Sequence, residues 1–64
     1  MIMIRATRKV AHLGLEVQKG TYGYYLFIPG VYLQSGKVHD TIDECVSAAI
    51  DGERPVIIAK AKGE

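Results

Sequence analysis

One stretch near the middle of the chain, Asp40 to Gly52 (DTIDECVSAAIDG), constrains the fold more than any other. Thr41 followed three residues later by Glu44 is a capping-box pair, in which each side chain satisfies a backbone N–H of the first turn. Ile42, Cys45, Val46, Ala49 and Ile50 recur at i, i+3, i+4, i+7 and i+8, which makes one apolar stripe. Gly52 stands where a helix ends in left-handed backbone. Such a helix must lay its stripe on a sheet or on another helix, and the rest of the chain reads mostly as sheet.

With 64 residues the chain is expected to form a single domain, residues 1–64. A domain of this size buries only about 60% of the surface its unfolded chain exposes, so its core must be well packed or shared with a partner. Hydrophobic residues make up 48% of the sequence and charged ones 23%, without low-complexity tracts, which excludes a disordered chain. No apolar run approaches the roughly 20 residues that span a bilayer. The opening Met-Ile-Met-Ile is too short for a signal-peptide core, so a cytoplasmic protein without a membrane partner is expected. Cys45 is the single cysteine, which rules out an internal disulfide. Its place on the apolar stripe makes it a small buried hydrophobe.

Before the capped helix, Ala6, Val10 and Leu13 keep helical spacing and predict a helix over 4–13, with Gly14 to end it. Leu15–Lys19 alternates as a half-buried strand. Gly20-Thr21-Tyr22-Gly23 is turn material, and Tyr24–Ile28 is the strongest strand in the chain. Pro29-Gly30 suits the centre of a type II turn, and Val31–Gln34 follows as a third strand. Pro55 opens a last strand over 56–61, since proline is tolerated at a first strand position. The expected fold is therefore α+β, in the order α-β-β-β-α-β, with an antiparallel sheet and both helices packed on one of its faces.

Several groups of residues carry functional meaning. Arg5, Arg8, Lys9 and His12 form a basic stripe on the first helix, which reads as a phosphate-contacting face or as a solvated one. Residues 1–37 carry five Lys/Arg against one acid, whereas residues 38–64 carry three against six. The surface thus has two electrical halves within a net charge of +1. If Leu26 faces the helices with Tyr24 and Ile28, then Tyr25 and Phe27 point the other way, with Tyr32 beside them. Together with Tyr22 these aromatics are core residues, a protein interface or a stacking platform for bases. Among the acids Asp40, Asp43, Glu44, Asp51 and Glu53, the first three suit a helix N-terminus, while Asp51 at the other end has no such cause. His12 and His39 are the two candidate acid–base groups, but neither belongs to a recognisable catalytic or metal-ligating motif. No enzyme, cofactor or metal is expected.

The stretch Gly23 to Gly52 resembles the partial ribonuclease-fold domain of HicB-type antitoxins. The resemblance lies in Gly23-Tyr24-Tyr25, Pro29, Gly36, Asp40-Thr41-Ile42-Asp43-Glu44 and Ala48-Ala49-Ile50. It covers just under half of the chain. The family's Leu-Pro-Gly after the second strand has no counterpart here, nor does its DNA-binding segment. The N-terminal half is similar in order to the HicA toxin partner, but the place of that family's Gly-Ser-His motif reads Gly20-Thr21-Tyr22, without the histidine. The size and layout also match small prophage proteins, including inhibitors of host defence complexes.

These features predict a small non-enzymatic binding protein that docks on a protein or nucleoprotein partner, as an antitoxin-like or phage-encoded inhibitor does. Tyr25, Phe27 and Tyr32 are the expected anchors, and Arg5, Arg8 and Lys9 the steering charges. The alternatives are a nucleic-acid-binding module resembling double-stranded-RNA binders and a ribonuclease-like toxin using His12 or His39. A homodimer is compatible with each.

Overall fold

A computed structural model describes residues 2–60. The order is α1 (Met3–Ala11), β1 (Glu16–Gly20), β2 (Gly23–Phe27), β3 (Leu33–Ser35), α2 (Ile42–Ile50) and β4 (Val56–Ala59). This is the expected α-β-β-β-α-β arrangement of an α+β domain. The final residue expected in β4, Ala61, lies outside the described residues.

α1 starts without a side-chain cap on Ile2, as its sequence implies. It ends earlier than Leu13, because Leu13 N–H turns back to the Val10 carbonyl and Gly14 N–H to that of Ala11. Gly14, at φ +76°, then carries the chain away. A bond that the sequence did not signal pins α1 to β1: the Thr7 hydroxyl accepts from Val17 N–H at 3.2 Å.

β1 and β2 form an antiparallel hairpin in the register Val17↔Leu26 and Gln18↔Tyr25, closed by Thr21-Tyr22. The two-residue strand period divides it as predicted. Leu15, Val17 and Leu26 are buried on the inner face, where Tyr24 and Ile28 also meet the core. Tyr25 and Phe27 take the outer face, and Tyr25 Oη donates to Gln18 Oε1 at 3.1 Å.

α2 is capped at both ends, although only one half of the expected capping box forms, since the Glu44 side chain does not return to Thr41 N–H. Glu44 N–H donates to Thr41 Oγ1 at 3.1 Å. At the other end Glu53 N–H reaches the Ala48 carbonyl and Gly52 N–H that of Ala49, which is a Schellman motif around Gly52 at φ +109°. Arg54 adds a bond from Nη1 to the Ala49 carbonyl. Cys45, Val46 and Ala49 are buried and Ile42 packs beside them. Ile50, expected on the same stripe, is exposed. At about 100° per residue it sits roughly 90° from the centre of the stripe, at its margin. Both helices pack on the inner face of the hairpin and on each other, with Ala6 and Ala49 fully buried.

The expected single sheet is instead two two-stranded ones, β1–β2 and β3–β4. The cause lies along the free edge of β2. Gln34 uses its side-chain amide to occupy both backbone groups of Ile28, accepting from its N–H at 2.8 Å and donating to its carbonyl. Further along that edge, Tyr24 and His39 exchange two backbone bonds of 2.8 and 2.7 Å. Gly23 makes this approach feasible, since a side chain there would run into the His39 carbonyl oxygen. With those groups taken, β3 turns away and pairs antiparallel with β4.

Candidate functional site

The outer face of the hairpin and the β3–β4 ribbon enclose an open cleft of about 440 Å³. Tyr25 and Phe27 form its floor, and Tyr32, Leu33, Gln34 and Pro55 its far side. The three aromatics expected to act as anchors thus share one concavity. Tyr25 and Phe27 are half-buried, held by strand pairing, whereas Tyr32 stands in the turn before β3 and is 73% exposed. Two of the cleft's polar side chains are already engaged: Tyr25 Oη bonds Gln18, and the Gln34 amide is spent on Ile28. A visitor meets ring faces and aliphatic surface together with the Tyr32 and Ser35 hydroxyls.

Arg5, Arg8, Lys9 and His12 are all exposed on the outward side of α1. They are not among the residues lining the cleft, because α1 covers the inner face of the hairpin and the cleft lies on the outer one. None of the four is paired with a carboxylate among the described residues.

The remaining candidates separate. His39 Nε2 lies 2.7 Å from Glu53 Oε2, which joins the segment before α2 to the segment after it. Glu53 thereby has a structural role. His12, the residue after α1, is exposed and takes no part in this pair. Cys45 is fully buried, and burial, with a smaller push from the Glu53 carboxylate, raises its thiol pKa from 9.0 to about 11. A thiol so placed stays protonated near neutrality and packs as an apolar group. No group of three or more His, Cys, Asp or Glu suited to a metal ion occurs among the described residues.

The sequence reading did not foresee the surface beside the cleft. All four residues of β4 are exposed, with Val56 at 63%, Ile57 at 46% and Ile58 at 59%. Leu33 of β3 and the following Val38 are exposed as well. A run such as Val-Ile-Ile-Ala reads as a buried strand whether or not anything covers it. Among the described residues no helix is long and apolar enough to cross a membrane.

A scan against protein-family models, a search of curated proteins and a search of solved structures each return no match.

Proposed function

We propose that the protein is a small non-enzymatic binding protein that docks on a protein or nucleoprotein partner through the aromatic cleft. The observation that carries this reading is the convergence of Tyr25, Phe27 and Tyr32 on one open concavity in which aromatic and aliphatic surface lies beside a few polar groups. Contiguous apolar surface of this kind marks interaction sites, and tyrosines anchor protein interfaces because they bring a large rigid area with few rotatable bonds. An antitoxin-like or phage-encoded inhibitor acting in the cytoplasm is the form of this function that the sequence resemblance favours.

The test is capture from host lysate on the immobilised protein, with and without nuclease, comparing wild type with Tyr32→Ala and with the triple alanine variant of Tyr25, Phe27 and Tyr32. Tyr32 is exposed and outside the strands, so its replacement leaves the fold in place. The expected result is one nuclease-resistant partner, bound at least about 30-fold more weakly by the triple variant, as loss of anchors worth about 2 kcal/mol implies. Undiminished binding by a folded triple variant would remove the cleft from the site.

A second reading rests on the exposed, unpaired basic stripe of α1. A nucleic-acid module using Arg5, Arg8 and Lys9 binds with an affinity that falls steeply with salt, by about 0.7–0.9 in log–log slope for each phosphate neutralised. Flat binding from low to physiological salt excludes it.

A further inference from the structure

We propose that the cleft holds a side-chain carboxamide of a peptide partner, a glutamine or an asparagine, on the two backbone groups of Leu26. The proposal rests on the reading of the cleft as the docking site and names the group recognised there.

In an antiparallel pair, residues that exchange backbone bonds alternate with residues whose N–H and C=O point away from the partner strand. On β1, Val17 N–H goes to the Thr7 hydroxyl and not to β2, so Val17↔Leu26 is a pair of the second kind. Tyr24, Leu26 and Ile28 therefore turn their N–H and C=O groups to the free edge of β2. Two of these three positions are taken. Tyr24 exchanges two backbone bonds with His39, and Ile28 meets the Gln34 amide at both of its groups. Between them, Leu26 N–H and C=O have no partner among the described residues on that edge. The Leu26 side chain lies in the core, so backbone is what this residue contributes to the lining of the cleft.

A donor and an acceptor side by side select a group that is both, which is an amide. Gln34 supplies the template two residues along, since its carboxamide accepts from Ile28 N–H and donates to Ile28 C=O. The space limits the choice further. Tyr24 and Ile28 stand about 13 Å apart along the strand, and both are occupied, which leaves one rung between them. An added strand needs the neighbouring rungs as well, whereas a side-chain carboxamide needs only one. Charge narrows the class again. No residue lining the cleft is charged among the described residues, and Arg5, Arg8 and Lys9 do not line it. A nucleotide would find no counter-charge for its phosphate there, and a carboxylate would set an oxygen against Leu26 C=O. Tyr25 and Phe27, on either side of Leu26, turn to the outer face, where their rings can cover the aliphatic stem of the visiting side chain.

Nuclear magnetic resonance titration of the full chain, labelled with ¹⁵N, tests the proposal through the Leu26 amide signal. Benzamide is expected to move Leu26 N–H downfield and saturably, with a dissociation constant on the order of 10 mM. Methyl benzoate, which lacks the N–H donors, should bind at least about tenfold more weakly. Among blocked tripeptides, acetyl-Gly-Gln-Gly-amide should move the same signal at concentrations about fivefold or more below its Met and Glu counterparts. Equal titration by benzamide and methyl benzoate overturns the proposal. Equal titration by the three peptides does so too, because the main-chain amide would then be the group that fits. Shifts at Tyr25, Phe27 and Tyr32 with Leu26 silent overturn the carboxamide while leaving the cleft as the docking surface, which the capture experiment judges independently. Uridine moving Leu26 N–H where benzamide does not would assign the rung to a base edge and overturn it as well.

Discussion

Val46 in α2 and Val56 in β4 are the same side chain in successive elements, and one is 4% exposed while the other is 63% exposed. The difference runs through the whole molecule. Among the described residues, every buried hydrophobic residue belongs to the part built from α1, α2 and the β1–β2 hairpin, counting Leu15, which links α1 to β1. The β3–β4 ribbon contributes none, although Leu33, Val56, Ile57 and Ile58 are as apolar as anything in the core. Apolar content alone therefore did not decide what was buried. Cover did: two helices suffice for one face of one hairpin, and both are spent there. The first part of the molecule is arranged to fold, and the second to present surface.

That contrast can be broken most directly by truncating one side chain in each part. Leu26→Ala in the hairpin is expected to cost about 3 kcal/mol, a large share of the roughly 5 kcal/mol available to a domain this small. Ile58→Ala in the ribbon is expected to cost under about 0.5 kcal/mol in dilute solution, where association does not contribute. Urea titrations followed by circular dichroism compare the two. Equal losses would mean that the ribbon belongs to the folding core.

The next largest effect concerns the buried thiol. Because the Cys45 pKa is raised to about 11 in the fold, the protonated thiol favours the folded state. The contribution is complete below the ordinary value of 9.0 and is lost as pH rises toward 11. The loss is expected to reach on the order of 2 kcal/mol, and Cys45→Ala should show a flatter stability profile over that window. Tyrosines and lysines titrate there as well, so the readout is the difference between the two proteins. Identical alkaline profiles would place the thiol in contact with water.

The smallest effect sharpens the comparison within the core. Thr41→Ala removes the acceptor for Glu44 N–H and is expected to cost about 1 kcal/mol. Serine at the same position should restore most of it. A cost near zero would indicate that Glu44 N–H finds water without loss.

What could be read in the sequence follows the same division. The ends of α2 were legible because capping and the glycine stop are local chemistry, written within a few residues of each other. The separation of Leu26 from Tyr25 and Phe27 was legible because strand side chains alternate, and it placed the aromatics on a shared face before any coordinates. The break between β2 and β3 was not legible. Phe-Ile-Pro-Gly-Val-Tyr has the turn residues of a hairpin, and nothing periodic reveals that the Gln34 side chain will take the backbone groups of Ile28. The Thr7 bond to Val17 escaped for the same reason: it joins residues far apart in sequence through one side chain. Ile50 was misplaced because a stripe drawn by spacing has no sharp margin, and Ile50 falls at that margin and is exposed.

The pair of backbone bonds between Tyr24 and His39 has a consequence for how such a protein can change. It closes residues 25–38 into a loop pinned at its base, and the far end of that loop carries Tyr32 and β3. Lengthening a closed loop costs little, about 0.6 kcal/mol for each doubling. Insertions between Pro29 and Tyr32 would therefore alter the rim of the cleft while leaving the helices and their hairpin as they are. The fold thus offers variation a cheap place to act, on the side where the cleft opens.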